Sequence, residues 1–220
     1  MTTHGTLLFD FDSTLISCES LDLFFKTNQN DPTVYKQIER ITHLGMSGKI
    51  SFTESLAKRL ALLDTTSEAL NHFATTQLIC HITPNIPKLI SWAQNYFDIW
   101  IVSGGLIPFI LPIAEQLNIN KSHIKAVEIK WHNQKIQPNN TNGFATDKVT
   151  GAKSCLSAWK KPVTIIGDGY TDFQLFQSGI AQNFIAYCQH IERPNIITTT
   201  EYKAYQPEDI KQQLELLYGV

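Results

Sequence analysis

Charge is what this sequence has least of. Only 17% of its 220 residues are Asp, Glu, Lys or Arg, against about 25% in an ordinary soluble domain. The 18 basic side chains nearly cancel the 20 acidic ones, for a net charge of -2. No basic field is present to hold nucleic acid, and no acidic tail to imitate it. Cysteine is sparse and unpatterned: Cys18, Cys80, Cys155 and Cys188 show no C-x-x-C spacing, which excludes a zinc ribbon and a disulfide framework and leaves four free thiols. Long apolar runs are missing too. The most apolar later stretch, Leu106 to Ala114, is about half the length a bilayer needs and holds Pro108 and Pro112. Met1 to Gly5 carries no positive charge and runs straight into a short apolar segment without a cleavage region, which is not the pattern of a signal peptide. These absences predict a cytoplasmic chain with neither membrane nor nucleic acid as partner. They leave the oligomeric state open.

What is present is a core. Hydrophobic residues make up 43% and aromatics 10%, enough to exclude a disordered chain. The length is about one and a half times a usual domain of roughly 150 residues, so either one generous domain or a domain with an insertion is expected. Three short apolar runs share one design: Thr6 to Phe9, Ile99 to Val102 and Val163 to Ile166 each end in a polar or glycine-containing turn. Runs of this kind are strands of a parallel sheet covered on both faces by helices. Helical patterns lie between them, such as Pro84 to Tyr96 with Thr83 as N-cap. The alternation predicts an α/β, doubly wound, Rossmann-like parallel sheet. The segment from about Leu21 to Gln77 has no strand-like run but carries apolar residues at helical spacing, as in Leu56, Leu60 and Leu63. An all-helical insertion, four-helix-bundle-like, accounts for it, giving a core of residues 1–18 and 78–220 and a cap of residues 19–77. Ile124 to Trp131, Asn133-Gln134 and Lys135-Ile136 read as a small β-hairpin, and Pro207 to Tyr218 as a closing helix.

Chemistry gathers at the ends of the three runs. Asp10 and Asp12 stand at i and i+2, which in extended chain places both carboxylates on one side, about 7 Å apart. In open α/β sheets, ligands bind beyond the carboxyl ends of the strands. At the second end, Ser103, Gly104 and Gly105 offer a hydroxyl and unobstructed N–H groups suited to an anion's oxygens. At the third, Asp168 and Asp172 flank flexible backbone and suit a hard cation such as Mg²⁺. Lys153, on the helical stretch Gly151 to Trp159, supplies a positive charge, with Lys148 as its rival. Jointly the parts fit phosphoryl transfer. A nucleophilic aspartate approaches a phosphate dianion only when cations neutralise its oxygens. The second aspartate gives a proton to the leaving alkoxide and later takes one from water.

The stretches Asp10-Phe11-Asp12-Ser13-Thr14-Leu15, Val102-Ser103-Gly104-Gly105, Lys153, and Gly167-Asp168-Gly169 through Asp172 resemble the four motifs of the haloacid dehalogenase superfamily of phosphatases. The resemblance implies Asp10 as nucleophile and Asp12 as general acid/base. It implies Ser103, Gly104 and Lys153 as phosphate ligands, Mg²⁺ held by Asp10, the Asp12 carbonyl and Asp168, and Asp172 in support of the metal site. Ala152-Lys153 opening a helix resembles the family pattern better than Lys148 does.

Within the superfamily the chain is similar to phosphoserine phosphatases. That likeness implies Glu19, nine residues after Asp10, as the contact to a substrate ammonium. It implies Met46 and Phe52 as shields, Arg59 as the carboxylate ligand, and Gly105 and Thr171 against the substrate. The implied reaction is hydrolysis of O-phosphoserine in the last step of serine synthesis, through an aspartyl phosphate. The alternatives are the same chemistry on phosphohomoserine, a phosphosugar or a methionine-salvage enol phosphate, or a phospho-accepting signalling domain. Two departures stand out: Tyr170-Thr171 replaces the more usual small residue and Asn, and the interval from Lys153 to Asp168 is short.

Overall fold

Strands form where the apolar runs are. In the computed structural model, which describes residues 3–28, 31–46, 49–133, 135–137 and 142–220, the first run is β1 (Thr6–Phe9) and the second β2 (Asp98–Leu106). They are followed by β3 (Ile124–Val127), the small β4 (Trp131–His132) and β5 (Lys135–Ile136), then β6 (Val163–Gly167), β7 (Asn183–Tyr187) and β8 (Lys203–Ala204). The main sheet has the order β3-β2-β1-β6-β7-β8, with every pairing parallel. β1, β2 and β6 are almost wholly buried, as continuous apolar strands covered on both faces must be.

Between Ser20 and His81 the described elements are helices: α1 (Ser20–Asn28), α2 (Pro32–Met46), α3 (Phe52–Ala61) and α4 (Ser67–Thr76), then a single turn of 3₁₀-helix. Leu56, Leu60 and Leu63 are buried as their spacing requires. The fourth helix leans on the core. Phe73 of α4 stacks edge-on with Phe24 of α1 (centroids 5.0 Å) and with Phe109 (5.4 Å) of α6 (Ile107–Gln116). At its base the insertion is clasped by an antiparallel bridge between Ile16 and Ile82. The remaining helices are α5 (Ile86–Ala93), α7 (Lys148–Ala152), α8 (Tyr170–Gln177), α9 (Pro194–Ile197) and α10 (Pro207–Tyr218), the last with the bounds its sequence predicts.

Three local expectations are corrected. Helix α5 begins at Ile86 and not Pro84, and Thr83 is not its cap. Thr83 is fully buried at the neck of the insertion: its N–H donates to the Leu15 carbonyl (2.9 Å) and its hydroxyl to the Thr14 carbonyl (3.0 Å), so the side chain faces the neck and only its carbonyl serves the helix, accepting from the Ile86 N–H (3.1 Å). Ile124–Val127 is not a hairpin arm but the edge strand of the main sheet, paired with β2. The hairpin is confined to Trp131–His132 with Lys135–Ile136. Gln134, expected in its turn, lies outside the described residues. Finally, Gly151 to Trp159 is not one helix: α7 ends at Ala152, and a separate 3₁₀ turn covers Leu156–Ala158.

Register sets the site. Phe9 pairs with Ile101 on one side and Ile166 on the other. Asp10, Ser103 and Asp168 therefore emerge within one or two residues of the same level, at the carboxyl edge of three adjacent strands. Gly167 is required there, because a Cβ on it would lie 2.3 Å from the Asp172 carboxylate.

Candidate active site

Beyond β1 the backbone stays extended at Asp10 (φ -68°, ψ 164°) and Asp12 (φ -64°, ψ 138°), then turns through the left-handed region at Ser13 (φ 55°). A non-glycine residue in that region is strained and persists only where its surroundings hold it. Here the Ser13 N–H donates to the Cys18 carbonyl (3.1 Å) and its hydroxyl to Glu19 (2.8 Å). The turn frees both carboxylates for different partners. Asp10 Oδ1 accepts from the Phe11 N–H (2.7 Å) and from Lys148 Nζ (2.7 Å). Asp12 Oδ1 accepts from the Ser20 N–H (2.7 Å), the first residue of α1. Burial, followed by the negative charge of Glu19, pushes the Asp12 carboxyl well above the ordinary aspartate range. Burial likewise raises Glu19 and pushes the neighbouring Cys18 thiol up to about 12, so the thiol stays protonated at neutral pH.

The lysine at the site is Lys148 and not Lys153. Lys148 is 4% exposed, lines the cavity, and bridges Asp10 and Asp172 at 2.7 and 2.5 Å. Burial alone would lower its ammonium, but the two carboxylates outweigh burial and hold it above its usual range. Lys153 is exposed, stands at the C-cap of α7 and does not line the cavity. One helical turn separates the two outcomes. Asp147 caps α7 through the Thr150 N–H (2.6 Å) and so puts Lys148 at the first helical position, facing the sheet edge. With Lys148 in place, the interval to Asp168 is no longer short.

Asp172 is wholly buried and accepts from Lys148 and the Gly169 N–H (3.0 Å). Asp168 is paired with Arg193, whose Nε (3.0 Å) and Nη2 (2.9 Å) both donate to its Oδ2. Oxygens of Asp10, Asp168 and Asp172 lie within 4.8 Å of one another. A buried set of hard oxygen donors with excess negative charge fits Mg²⁺. Six acids line the cavity (Asp10, Asp12, Glu19, Asp22, Asp147 and Asp168) against three bases (Arg59, Lys148 and Arg193).

The cavity holds about 280 Å³. Its floor is the strand edge, including buried Ser103 with Gly104 and Gly105, and the Gly105 N–H donates to the Ser103 hydroxyl (2.9 Å). Its roof comes from the insertion. The ring of Phe52 sits so close over Gly104 that a Cβ there would lie 3.0 Å from the ring's Cζ. The Thr53 hydroxyl donates to the Ala145 carbonyl (3.0 Å). Glu19, Phe52, Arg59 and Thr171 all line the space, as their sequence positions predict. Arg59 Nη1 lies 3.6 Å from Asp22, while its Nε is buried without a partner. The side chain of Met46 lies outside the described residues. Arg193, Asp22, Phe144, Asp147 and Gln174 line the site without having been singled out from sequence. Arg193 follows β7, the next strand of the same parallel sheet, and extending the strand-end rule to that strand would have found it.

Comparison with known proteins agrees with this geometry. Residues 7–177 match the family model described as haloacid dehalogenase-like hydrolase. A phosphoserine phosphatase of Lactococcus lactis is 30% identical over 92% of this chain and 96% of its own. The human phosphoserine phosphatase is 27% identical over 76% and 74%. The crystal structure of a phosphoserine phosphohydrolase-like protein from Francisella tularensis superposes with a TM-score of 0.85 at 38% identity, covering 95% of this chain and 99% of that one. With the three strand-edge motifs and Lys148 meeting in one cavity, the chain belongs to the haloacid dehalogenase-like hydrolases and is a phosphatase-type enzyme similar to phosphoserine phosphatases.

Proposed function

We propose that this enzyme hydrolyses O-phosphoserine to serine and phosphate through an aspartyl phosphate on Asp10. The observation that carries the reading is the polarity of one cavity. Lys148 and the acid cluster stand at the strand edge, and Glu19 and Arg59, whose Nε has no partner, stand toward the insertion. A phosphate monoester with both an ammonium and a carboxylate has complementary groups for both ends. Arg matches a carboxylate with a planar fork, and Glu19 matches the ammonium.

In the first step a carboxylate oxygen of Asp10 attacks phosphorus, and the bond to the serine oxygen breaks. Asp12, raised by burial and by Glu19, holds the proton that the leaving alkoxide takes. In the second step Asp12 receives a proton from water, whose oxygen attacks phosphorus and releases Asp10 and inorganic phosphate. Ser103, the Gly104 N–H and Lys148 hold the phosphoryl oxygens. Asp10, Asp168 and the Asp12 carbonyl would hold Mg²⁺, with Asp172 fixing Lys148. When bound, the ion supplies positive charge to a group that the acids would otherwise repel. Phe52 excludes water from the closed space. The four cysteines are unpaired, and no described helix is long and apolar enough to cross a membrane. Both fit a cytoplasmic setting.

The test is phosphate release from phosphoserine beside phosphohomoserine, a phosphosugar and the methionine-salvage enol phosphate. Phosphoserine is expected to have the highest kcat/KM. A higher value on any of the others would replace the substrate assignment, and a stable aspartyl phosphate without turnover would replace the hydrolase by a phospho-acceptor.

A further inference from the structure

Arg193 reaches the site from outside the four motifs, and its contact has a particular form. Both of its donors, Nε at 3.0 Å and Nη2 at 2.9 Å, converge on one oxygen of Asp168, Oδ2. Oδ1 takes no part in this contact, and a carboxylate oxygen of Asp168 lies within 4.8 Å of oxygens of Asp10 and Asp172. The guanidinium is planar and always charged, so two in-plane donors on one oxygen set the orientation of the carboxylate as well as its charge. The base of the side chain is itself fixed. The Arg193 carbonyl accepts from the Ile196 N–H (2.8 Å) and the Ile197 N–H (3.1 Å) at the start of α9, and Ile196 is anchored in the core. Arg193 is thus built in from its main chain outward, with its head lining the cavity.

We propose that Arg193 is the positioning residue of the cation site, clamping Oδ2 of Asp168 so that Oδ1 is presented to a divalent ion. The inference rests on the reading of Asp168 as a cation ligand. Groups that orient a metal ligand from behind typically contribute 10–100-fold in metal affinity. A guanidinium that merely stood in for the ion would have the opposite sign, because its removal would tighten binding.

The experiment is Mn²⁺ binding to the full-length protein without substrate, followed by the paramagnetic resonance of free Mn²⁺, with Mg²⁺ competition by calorimetry. Arg193→Gln and Arg193→Lys are both expected to weaken binding by about 10–100-fold. Lys keeps the charge but cannot place two donors in one plane. Unchanged or tighter binding by Arg193→Gln overturns the proposal, and so does full affinity in Arg193→Lys, which would reduce the role to charge. Melting curves establish that each variant is folded, and Arg193→Lys decides alone if the Gln variant does not fold. If the unaltered protein takes up no Mn²⁺, the cation reading itself falls and the Arg193 role with it. If it binds Mn²⁺ and both variants bind equally well, only the Arg193 role falls.

Discussion

The strand edge and the helical insertion face each other across one cavity, and they treat their charges differently. At the edge every buried ion is answered from within the fold at 3.0 Å or less: Asp10 by Lys148, Asp172 by Lys148 and Gly169, Asp168 by Arg193. On the insertion, Arg59 has a long 3.6 Å contact with Asp22 and a buried Nε with no partner. The first region is held in place by the fold's own donors before any substrate arrives, as chemistry that depends on fixed charges requires. The second holds unspent hydrogen-bonding capacity. A buried donor without an acceptor costs about 1–3 kcal/mol, and a ligand that supplies the acceptor recovers it. Chemistry is built into the sheet, and selectivity is left for the substrate to finish.

Breaking the edge should have the largest effect. Asp10→Asn is expected to lower kcat by about 10⁴-fold or more with the fold retained, measured by phosphate release beside a melting curve. Substantial residual turnover would remove Asp10 as nucleophile. Lys148→Ala is expected to lose at least about 10²-fold in kcat and to destabilise the protein by roughly 3–5 kcal/mol, since it leaves two buried carboxylates unpaired. Lys153→Ala should stay within about 0.5 kcal/mol of the parent with full activity, and the pair of variants tests directly which lysine belongs to the site. On the insertion, Arg59→Ala is expected to raise KM for phosphoserine about 10–100-fold while leaving phosphoethanolamine, which lacks the carboxylate, nearly unchanged. Equal losses on both would deny Arg59 its selective role. At the seam between the regions, Gly104→Ala forces Phe52 upward and is expected to cost roughly 1 kcal/mol of closure, about fivefold in kcat/KM.

The smallest effect is on stability and concerns Asp12. Its carboxyl is raised in the folded protein, so ionisation opposes folding. That penalty is absent below the ordinary value of 3.8, grows as pH rises through the raised value, and is complete above it. Asp12→Asn, inactive for want of a transferable proton, should therefore melt higher than the parent at neutral pH in the metal-free protein, and the gap should close as pH falls toward 3.8. A gap that widens on acidification would mean that Asp12 is held ionised.

Much of this was legible in the residues. β1, β2 and β6 could be read because a strand buried on both faces is filled mainly by apolar side chains, and their ends carried acids or a Ser-Gly-Gly turn. α10 could be read because Pro207, Glu208 and Asp209 mark a helix start by local chemistry alone. Thr83 misled because a hydroxyl before a proline has the same local form whether it caps a helix or closes a neck, and the choice was made by Leu15 and Thr14, nearly 70 residues away. Lys153 was preferred over Lys148 because Ala152-Lys153 reads as opening a helix. The helix opens instead at Lys148, one residue after its Asp147 cap, and the carboxylates of Asp10 and Asp172 that hold Lys148 come from distant parts of the chain. Arg193 lies beyond the last motif, and its contact with Asp168 exists only through the packing of β7 beside β6.

One feature of the neck reaches past the present molecule. The bridge between Ile16 and Ile82 brings together the two points at which the chain leaves and rejoins the core. Residues gained or lost between those points do not shift the pairing of Phe9 with Ile101 or Ile166. The helices above the bridge are therefore free to change in length over descent, whereas the strand ends below it tolerate only exchange of one side chain for another. Kinship among such enzymes should be traced along the sheet, and their differences in diet along the loop that hangs from it.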